Sequence, residues 1–229
     1  MIILQANNVS KSFGAEPILT DIKLEVKANE KVAIVGKNGV GKSTLLKMMT
    51  GEFPHDSGDI IIPKDVTIGY LAQHTGLESE KSIWQEMIDV FLPLRQMEKA
   101  LRDMESKMGD PDLLANETEY AKLLGEYDKL QHEFNERGGY RYEADIRSIL
   151  HGLQFGDYDY ENTLISTLSG GQKTRLALAK LLLTKPDLLI LDEPTNHLDI
   201  DTMTWLEQYL YSYHGAILVV SHDRYFLDK

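Results

Sequence analysis

Residues 31–50 of the chain are KVAIVGKNGVGKSTLLKMMT, and this stretch decides the fold. Residues 31–35 form an apolar run that predicts a short buried strand, and a glycine-rich turn follows it. The apolar residues from Leu45 onward predict a helix that ends before Gly51. A G-x-x-x-x-G-K-S pattern between a strand and a helix is typical of a phosphate-binding loop, because backbone N–H groups of the turn face an anion. We therefore predict nucleotide binding here.

The side chains of this loop suit the phosphates and the magnesium ion of a nucleoside triphosphate. Lys42 supplies a positive charge for the β- and γ-phosphates, and the Ser43 hydroxyl is a Mg²⁺ ligand. The helix that begins near Lys42 adds the positive end of its dipole. Three glycines let the backbone approach phosphate oxygens: Gly36, Gly39 and Gly41.

The apolar run at residues 188–191 predicts a buried strand, and two acidic residues follow it. Its end carries Asp192 and Glu193, and carboxyl ends of parallel strands meet in a ligand crevice. Asp192 suits a water-mediated hold on Mg²⁺, and Glu193 suits activation of the attacking water. The alternative is a solvated turn before Pro194.

Composition excludes several classes of protein. The chain has 229 residues, a formal net charge of −12 and no cysteine. Without cysteine there are no disulfides, thiolate catalysis, cysteine-based zinc sites or iron–sulfur clusters. No apolar run approaches the length of a membrane span, and the first residues lack a signal peptide pattern. The acidic balance argues against DNA as a partner, and we predict a cytoplasmic protein without a transmembrane segment.

Residues 78–137 differ from the rest of the chain. They carry 15 acidic and 8 basic residues, a net charge of −7. Apolar residues recur every three or four positions on both sides of a turn at 109–112, which predicts two amphipathic helices in an antiparallel hairpin. These apolar residues are Met87, Phe91, Leu94, Met97, Leu101, Met104 and Met108, then Tyr120, Leu123, Tyr127, Leu130 and Phe134.

The flanking segments alternate strand and helix patterns, which predicts an α/β fold with a mostly parallel sheet. Within the first segment, residues 60–62 and 66–71 predict a pair of strands interrupted by Pro63.

A second glycine-rich element, Leu168-Ser-Gly-Gly-Gln172, precedes another predicted helix. Ser169 and Gln172 have the spacing of a capping box. Two glycines at a helix start cost about 1 kcal/mol each, so a cap alone does not need them. The alternative is a second anion site made of the N–H groups of residues 169–171.

With these elements in this order, the sequence resembles the ATP-binding-cassette (ABC) superfamily over essentially its whole length. Six elements of the chain resemble the family's motifs and stand in the family's order. They are the Walker A loop at 36–44, the Q-loop Gln73, the LSGGQ signature at 168–172, the Walker B strand at 188–193, the D-loop at 196–199 and the switch histidine His222.

The resemblance implies an α/β P-loop NTPase ABC cassette with a mixed core sheet, an antiparallel β subdomain and an inserted helical-hairpin arm. Residues 1–77 and 138–229 would form the cassette, 78–137 the arm, and about 138–184 the helical region that carries the signature.

The resemblance also implies an ATPase with ATP and Mg²⁺ as cofactors. In this family two cassettes pack head to tail, and each ATP lies between one Walker A loop and the opposite signature. The implied catalytic residues are Glu193 as base, His222 at the γ-phosphate and Gln73 as metal sensor; the implied metal ligands are Ser43, Gln73 and Asp192. The implied nucleotide contacts are Phe13, Gly36, Asn38, Gly39, Gly41, Lys42, Ser43, Thr44, Ser169, Gly170, Gly171, Gln172 and Asp199.

Two of these assignments have structural alternatives. Phe13 is similar in position to an aromatic residue that stacks on adenine, but it could equally be a core residue. His222 follows an apolar strand, where a packed histidine is the more common finding.

Three features resemble the ABC-F subfamily, soluble factors that act on translating ribosomes: the helical insertion, Asn196-His197 in the D-loop, and residues 221–226. This implies a ribosome-associated translation or antibiotic-resistance factor, with a second cassette and the ribosome or tRNA as partners. Because ABC-F proteins have two cassettes, the chain is expected to be an N-terminal fragment with weak activity alone. The alternatives are the ATP-binding subunit of a membrane transporter and a module that binds ATP without hydrolysing it.

Overall fold

The computed structural model describes residues 1–73, 76–196 and 198–221, and the prediction for His222 lies outside these residues. The described strands are β1 (Ile2–Phe13), β2 (Glu16–Lys27), β3 (Lys31–Ile34), β4 (Ser57–Ile61), β5 (Ile68–Leu71), β6 (Leu188–Asp192) and β7 (Ala216–Val220). The described α-helices are α1 (Lys42–Met49), α2 (Ile83–Ile88), α3 (Leu92–Met108), α4 (Pro111–Leu114), α5 (Glu117–Glu136), α6 (Tyr142–Gly152), α7 (Gly170–Thr184) and α8 (Ile200–Tyr211).

The described strands form two sheets. One is antiparallel, in the order β2-β1-β4, and the other is parallel, in the order β3-β7-β6-β5. Every residue of β6 and β7 is buried, as expected for central parallel strands covered on both faces. The register pairs Ile34 and Asp192 with Val220, so the carboxyl ends of β3, β6 and β7 lie at one edge.

The two faces of the parallel sheet belong to two hydrophobic cores. Leu188, Ile190 and Leu218 pack towards α1 and the antiparallel sheet. The alternate residues Leu189 and Leu191 pack towards α2, α3 and α5–α8. This alternation follows from the period of two along a strand. The P-loop helix and the signature helix therefore cover opposite faces of one sheet.

The predicted pairing of residues 60–62 with 66–71 is wrong. Strand β4 pairs with β1, whereas β5 pairs with β6 in the other sheet. Between them the Val66 N–H donates to the Pro63 carbonyl at 3.1 Å, and this turn carries the chain from one sheet to the other. Pro63 has no N–H and so cannot extend the β4 ladder. Apolar alternation predicts strands but not their partners.

The insertion contains two long helices, as its periodicity predicts. Helices α3 and α5 pack together through the buried side chains of Leu94, Leu101 and Phe134, and the Tyr127 hydroxyl donates to Glu105 at 2.7 Å. The first predicted helix is interrupted by a 3-10 turn at Asp89–Phe91. The division of the chain into cassette and arm stays a prediction.

Helix α2 is joined to α7 by a partly buried ion pair. The Lys180 ammonium lies 2.5 Å from one oxygen of Glu86, and the Ser79 hydroxyl donates to the other at 2.7 Å. Burial favours a raised pKa for Glu86, but these two hydrogen bonds outweigh it and hold the pKa below its ordinary value. The α7 helix is therefore tied to the segment that follows Gln73.

Candidate nucleotide-binding site

A cavity of about 420 Å³ lies where the P-loop meets the carboxyl end of β6. The residues that line it are Phe13, Ile18, Asn38, Gly39, Gly41, Lys42, Ser43, Thr44, Gln73, Asp192 and Glu193. Apart from Ile18, all of them are residues that the sequence resemblance implies for nucleotide, metal or catalysis. Residues 180 positions apart in sequence thus share one cavity.

The P-loop backbone has the conformation that its glycines predict. Gly39 and Gly41 have φ angles of 84° and 93°, in the left-handed region that disfavours other residues. A Cβ atom at Gly41 would lie 2.7 Å from Ile18 Cγ2. Gly41 is also the N-cap of α1, and no side chain caps this helix. The first residues of α1 line the cavity, and no side chain caps their N–H groups, as an anion site requires.

Lys42 reaches back across the loop. Its Nζ donates to the carbonyl oxygens of Gly36 at 2.8 Å and Lys37 at 3.0 Å. The ammonium is thereby held over the loop instead of extending into solvent. A cation in this position complements the charge of a bound phosphate.

The carboxyl group of Asp192 is buried, with 2% of the residue exposed. Burial raises the pKa of Asp192, the neighbouring Glu193 adds to the rise, and the Ser43 hydroxyl and the Lys42 ammonium oppose it. Its Oδ1 atom is buried without a hydrogen-bond partner in the described part of the chain.

These residues fit a magnesium ion. Mg²⁺ prefers oxygen ligands, keeps several waters, and usually takes one or two protein ligands plus substrate phosphates. A buried carboxylate with an unsatisfied oxygen beside a serine hydroxyl supplies that donor set.

Glu193 has a strained backbone at the edge of the cavity. Its φ angle is 51°, a left-handed value that costs free energy for a residue with a Cβ. Its N–H donates to the Val220 carbonyl at 2.8 Å, and its carbonyl accepts from Asn196 at 3.2 Å. These two hydrogen bonds stabilise the turn after β6 that places the Glu193 carboxylate at the cavity.

The aromatic ring of Phe13 is on the surface and not in the core. The residue is 51% exposed and packs edge-on against Phe53, with 6.5 Å between ring centroids. This excludes the alternative of a core residue. A half-exposed ring at the cavity wall is suited to stacking on a planar base.

The signature segment lies outside this cavity. Ser169 is the N-cap of α7, and the capping box is present: its hydroxyl accepts from the Gln172 N–H, and its own N–H donates to Gln172 Oε1 at 2.8 Å. Gly170 is exposed, and a Cβ there would meet nothing within 4 Å. The segment is therefore open to a partner, but only the N–H groups of Gly170 and Gly171 stay without an acceptor in the cap.

Asp199 also has a capping role. It is the N-cap of α8 and accepts hydrogen bonds from the N–H and hydroxyl of Thr202 at 2.9 Å and 3.0 Å. The hydrogen bond from the Thr202 N–H lowers the pKa of Asp199. Asp199 does not line the cavity, and its contact with nucleotide stays a prediction. His197 of the same loop lies outside the described residues.

Ile18 is the lining residue that sequence analysis misses. It is an apolar residue of β2, and its only special feature is the close approach of its Cγ2 atom to Gly41. Neither spacing nor residue type distinguishes it from other strand residues. Only Gly41 points indirectly to Ile18, because a glycine there indicates that a neighbouring side chain occupies the space that a Cβ would need.

A family model described as ABC transporter matches residues 19–196. YdiF of Bacillus subtilis is 61% identical over all of this chain and 35% of its own length. ABC transporter F family member 5 of Arabidopsis thaliana is 36% identical, covering 99% of this chain and 32% of its own. Energy-dependent translational throttle protein EttA of Mycobacterium tuberculosis is 37% identical, covering 99% and 39%. The chain thus spans about a third to two fifths of these relatives.

The fold has solved counterparts. The structure of an ATP-bound bacterial Atm1-family ABC exporter aligns with a TM-score of 0.67 at 19% identity, covering 99% of this chain and 35% of that chain. The predicted α/β ABC cassette fold is confirmed. The predicted resemblance is confirmed as well: the chain belongs to the ABC transporter family, as an ATP-binding cassette whose relatives include F family members.

Proposed function

We propose that this cassette hydrolyses ATP in a site that a second cassette completes. The observation that carries the proposal is the shared cavity of Lys42, Asp192 and Glu193. A cation for the phosphates, an oxygen donor for a metal and a carboxylate base are the groups that phosphoryl transfer to water needs.

Each group has a distinct task in this proposal. The P-loop N–H groups and Lys42 bind the β- and γ-phosphates, and Phe13 packs on the base. Ser43, Asp192 and Gln73 would hold Mg²⁺, which would neutralise charge on the phosphate oxygens. Glu193 accepts a proton from the attacking water and orients it. The turn at Glu193 fixes the carboxylate before the nucleotide arrives, so little reorganisation is needed.

The position of the signature supports the proposal of a second cassette. The α7 cap lies outside the cavity, Ser169 and Gly170 are exposed, and the capping box leaves the N–H groups of Gly170 and Gly171 without an acceptor. The Ser169 hydroxyl oxygen accepts from Gln172, so its proton stays available to donate to a phosphate. We propose that these donors serve a nucleotide held by the partner cassette.

We further propose that the whole protein is a cytoplasmic ABC-F factor acting on the ribosome, in translation or antibiotic resistance. Three observations support this: one relative is an F family member, EttA is named a translational throttle protein, and residues 78–137 contain two long helices. The described residues contain no helix both long and apolar enough to cross a membrane. The competing proposal is an ATP-binding transporter subunit. Co-sedimentation of the full-length protein separates the two: ribosomes support the first, membranes the second.

Replacement of the base tests the hydrolytic proposal. Glu193→Gln keeps the size of the side chain but removes its basicity, so turnover in the full-length protein should fall about 10²–10⁴-fold. ATP binding, measured with a fluorescent analogue, should persist. The exposed Glu25→Gln serves as control and should leave both quantities unchanged. Equal turnover in wild type and Glu193→Gln would remove Glu193 as the base, and absent single-turnover hydrolysis in wild type would favour a module that only binds ATP.

A further inference from the structure

Two side-chain atoms in the described part of the chain are buried without a hydrogen-bond partner: the Tyr70 hydroxyl and Asp192 Oδ1. An unsatisfied buried polar atom loses its hydration without compensation, and phenylalanine would fill nearly the same space at no such cost. The proposed metal role accounts for Asp192. Nothing in the proposed function accounts for the hydroxyl of Tyr70.

The two atoms lie on the same face of the same sheet. Tyr70 is on β5 and stands opposite Ile190 of the parallel neighbour β6. Tyr70 packs against the core cluster beneath α1 that contains Ile190. Asp192 is two residues further along β6, so its side chain shares the face of Ile190. With strands about 4.8 Å apart and a rise of about 3.3 Å per residue, the Cα atoms of such diagonal neighbours are about 8 Å apart, within reach of a tyrosine side chain.

The two groups are also complementary in hydrogen bonding. Burial, and then the charges of Asp192 and Glu52, raise the pKa of Tyr70 to about 12. The phenol therefore keeps its proton at physiological pH and can donate it, whereas an ionised carboxylate only accepts.

We propose that the Tyr70 hydroxyl donates through one bridging water to Oδ1 of Asp192, and that Tyr70 thereby positions this carboxylate for the metal. A bridging water satisfies two buried groups that are too far apart for a direct bond. Tyr70 does not touch the nucleotide in this proposal, so it is a positioning residue. The inference rests on the proposed role of Asp192.

The test measures the affinity of the full chain for a fluorescent ATP analogue, without metal and across a Mg²⁺ titration. Tyr70→Phe should leave the metal-free affinity unchanged and raise the Mg²⁺ concentration for half-maximal effect about 3–10-fold, the range of one lost hydrogen bond. Tyr213→Phe is the matched control, since its hydroxyl donates to the Pro186 carbonyl at 2.6 Å outside the cavity. It should not change the Mg²⁺ dependence.

The remaining outcomes separate the two proposals. If Asp192→Asn abolishes the Mg²⁺ effect while Tyr70→Phe behaves as wild type, the Tyr70 inference is overturned and the metal role of Asp192 stands. If Asp192→Asn retains the full Mg²⁺ effect, the proposed metal role itself fails. A loss of affinity by Tyr70→Phe that is equal with and without Mg²⁺ would show a packing effect and also overturn the inference. Urea unfolding of each variant verifies that it is folded.

Discussion

Helices α1 and α7 both begin at glycine-rich sequences, but their N-terminal N–H groups are capped differently. At α1 the N-cap is Gly41, which has no side chain to accept a hydrogen bond. At α7 the N-cap is Ser169, and its capping box occupies the N–H groups of Ser169 and Gln172. One helix end leaves its donors for a ligand, whereas the other uses part of them to stabilise itself.

The surroundings of the two helix ends also differ. The α1 end faces a cavity that also contains Lys42, Asp192 and Glu193. The α7 end is open to solvent at Gly170. Similar glycine-rich helix starts therefore do not make equivalent sites: the α1 end lies in a cavity with a cation and two carboxylates, whereas the α7 end lies outside it.

Among the mutations that test this contrast, removal of the cation at the α1 end should change nucleotide binding the most. Lys42→Ala removes the cation at the α1 end, and a charge-assisted hydrogen bond to phosphate is worth about 1.5–3 kcal/mol. The affinity of the chain for a fluorescent ATP analogue should therefore fall about 10–150-fold. Lys23→Ala removes an equal charge from the exposed face of β2 and should have no such effect. Equal affinities for the two variants would contradict the assignment of the α1 end.

The next effect compares the two glycines directly. Gly41→Ala forces a side chain into a left-handed conformation and against Ile18 Cγ2, which should lower the free energy of unfolding by about 1–3 kcal/mol. Gly170→Ala meets open space, and its effect should stay within about 0.5 kcal/mol. Urea denaturation measures both. A Gly170→Ala variant as unstable as Gly41→Ala would show that the α7 end is packed and not open.

The smallest effect concerns the ion pair that holds α7 in place. Because hydrogen bonds keep the pKa of Glu86 below its ordinary value of 4.5, its contribution to stability is present above that pH and is lost as the pH falls through the folded-state pKa. Glu86→Gln should lower the free energy of unfolding at pH 7 by about 1–2 kcal/mol. This difference should shrink below about pH 4.5.

The exposed Glu80→Gln provides the control for Glu86. It removes one negative charge from the same segment and should not change the free energy of unfolding, either at pH 7 or below about pH 4.5. A Glu86→Gln variant whose deficit is independent of pH would show that packing, and not the ion pair with Lys180, is responsible.

Much of this architecture can be predicted from the sequence because it depends on residues that are close together along the chain. The glycine-rich turn between strand and helix, the carboxylates at the end of β6 and the Ser169–Gln172 cap each depend on residues within a few positions. The sequence therefore predicts the P-loop conformation and the capping box correctly. The helices of the insertion are equally predictable, since their apolar period of three to four extends over many turns.

Other features depend on residues far apart in sequence and escape such patterns. The pairing of β4 with β1 and of β5 with β6 is decided by which surfaces meet in the core. The position of Ile18 against Gly41 and the partnerless Tyr70 hydroxyl are likewise consequences of packing. The break at Asp89–Phe91 falls inside an apolar pattern that looks continuous.

We have proposed that two cassettes share each nucleotide, which the α1 end of one and the α7 end of the other bind. Because the chain has no cysteine, Val40→Cys and Ser166→Cys can be introduced together beside the two ends in a Glu193→Gln background. We expect a disulfide between two copies, seen as a band of twice the chain mass, that forms with Mg-ATP and not without nucleotide. No crosslinked dimer with Mg-ATP, or equal amounts with and without it, would contradict the claim.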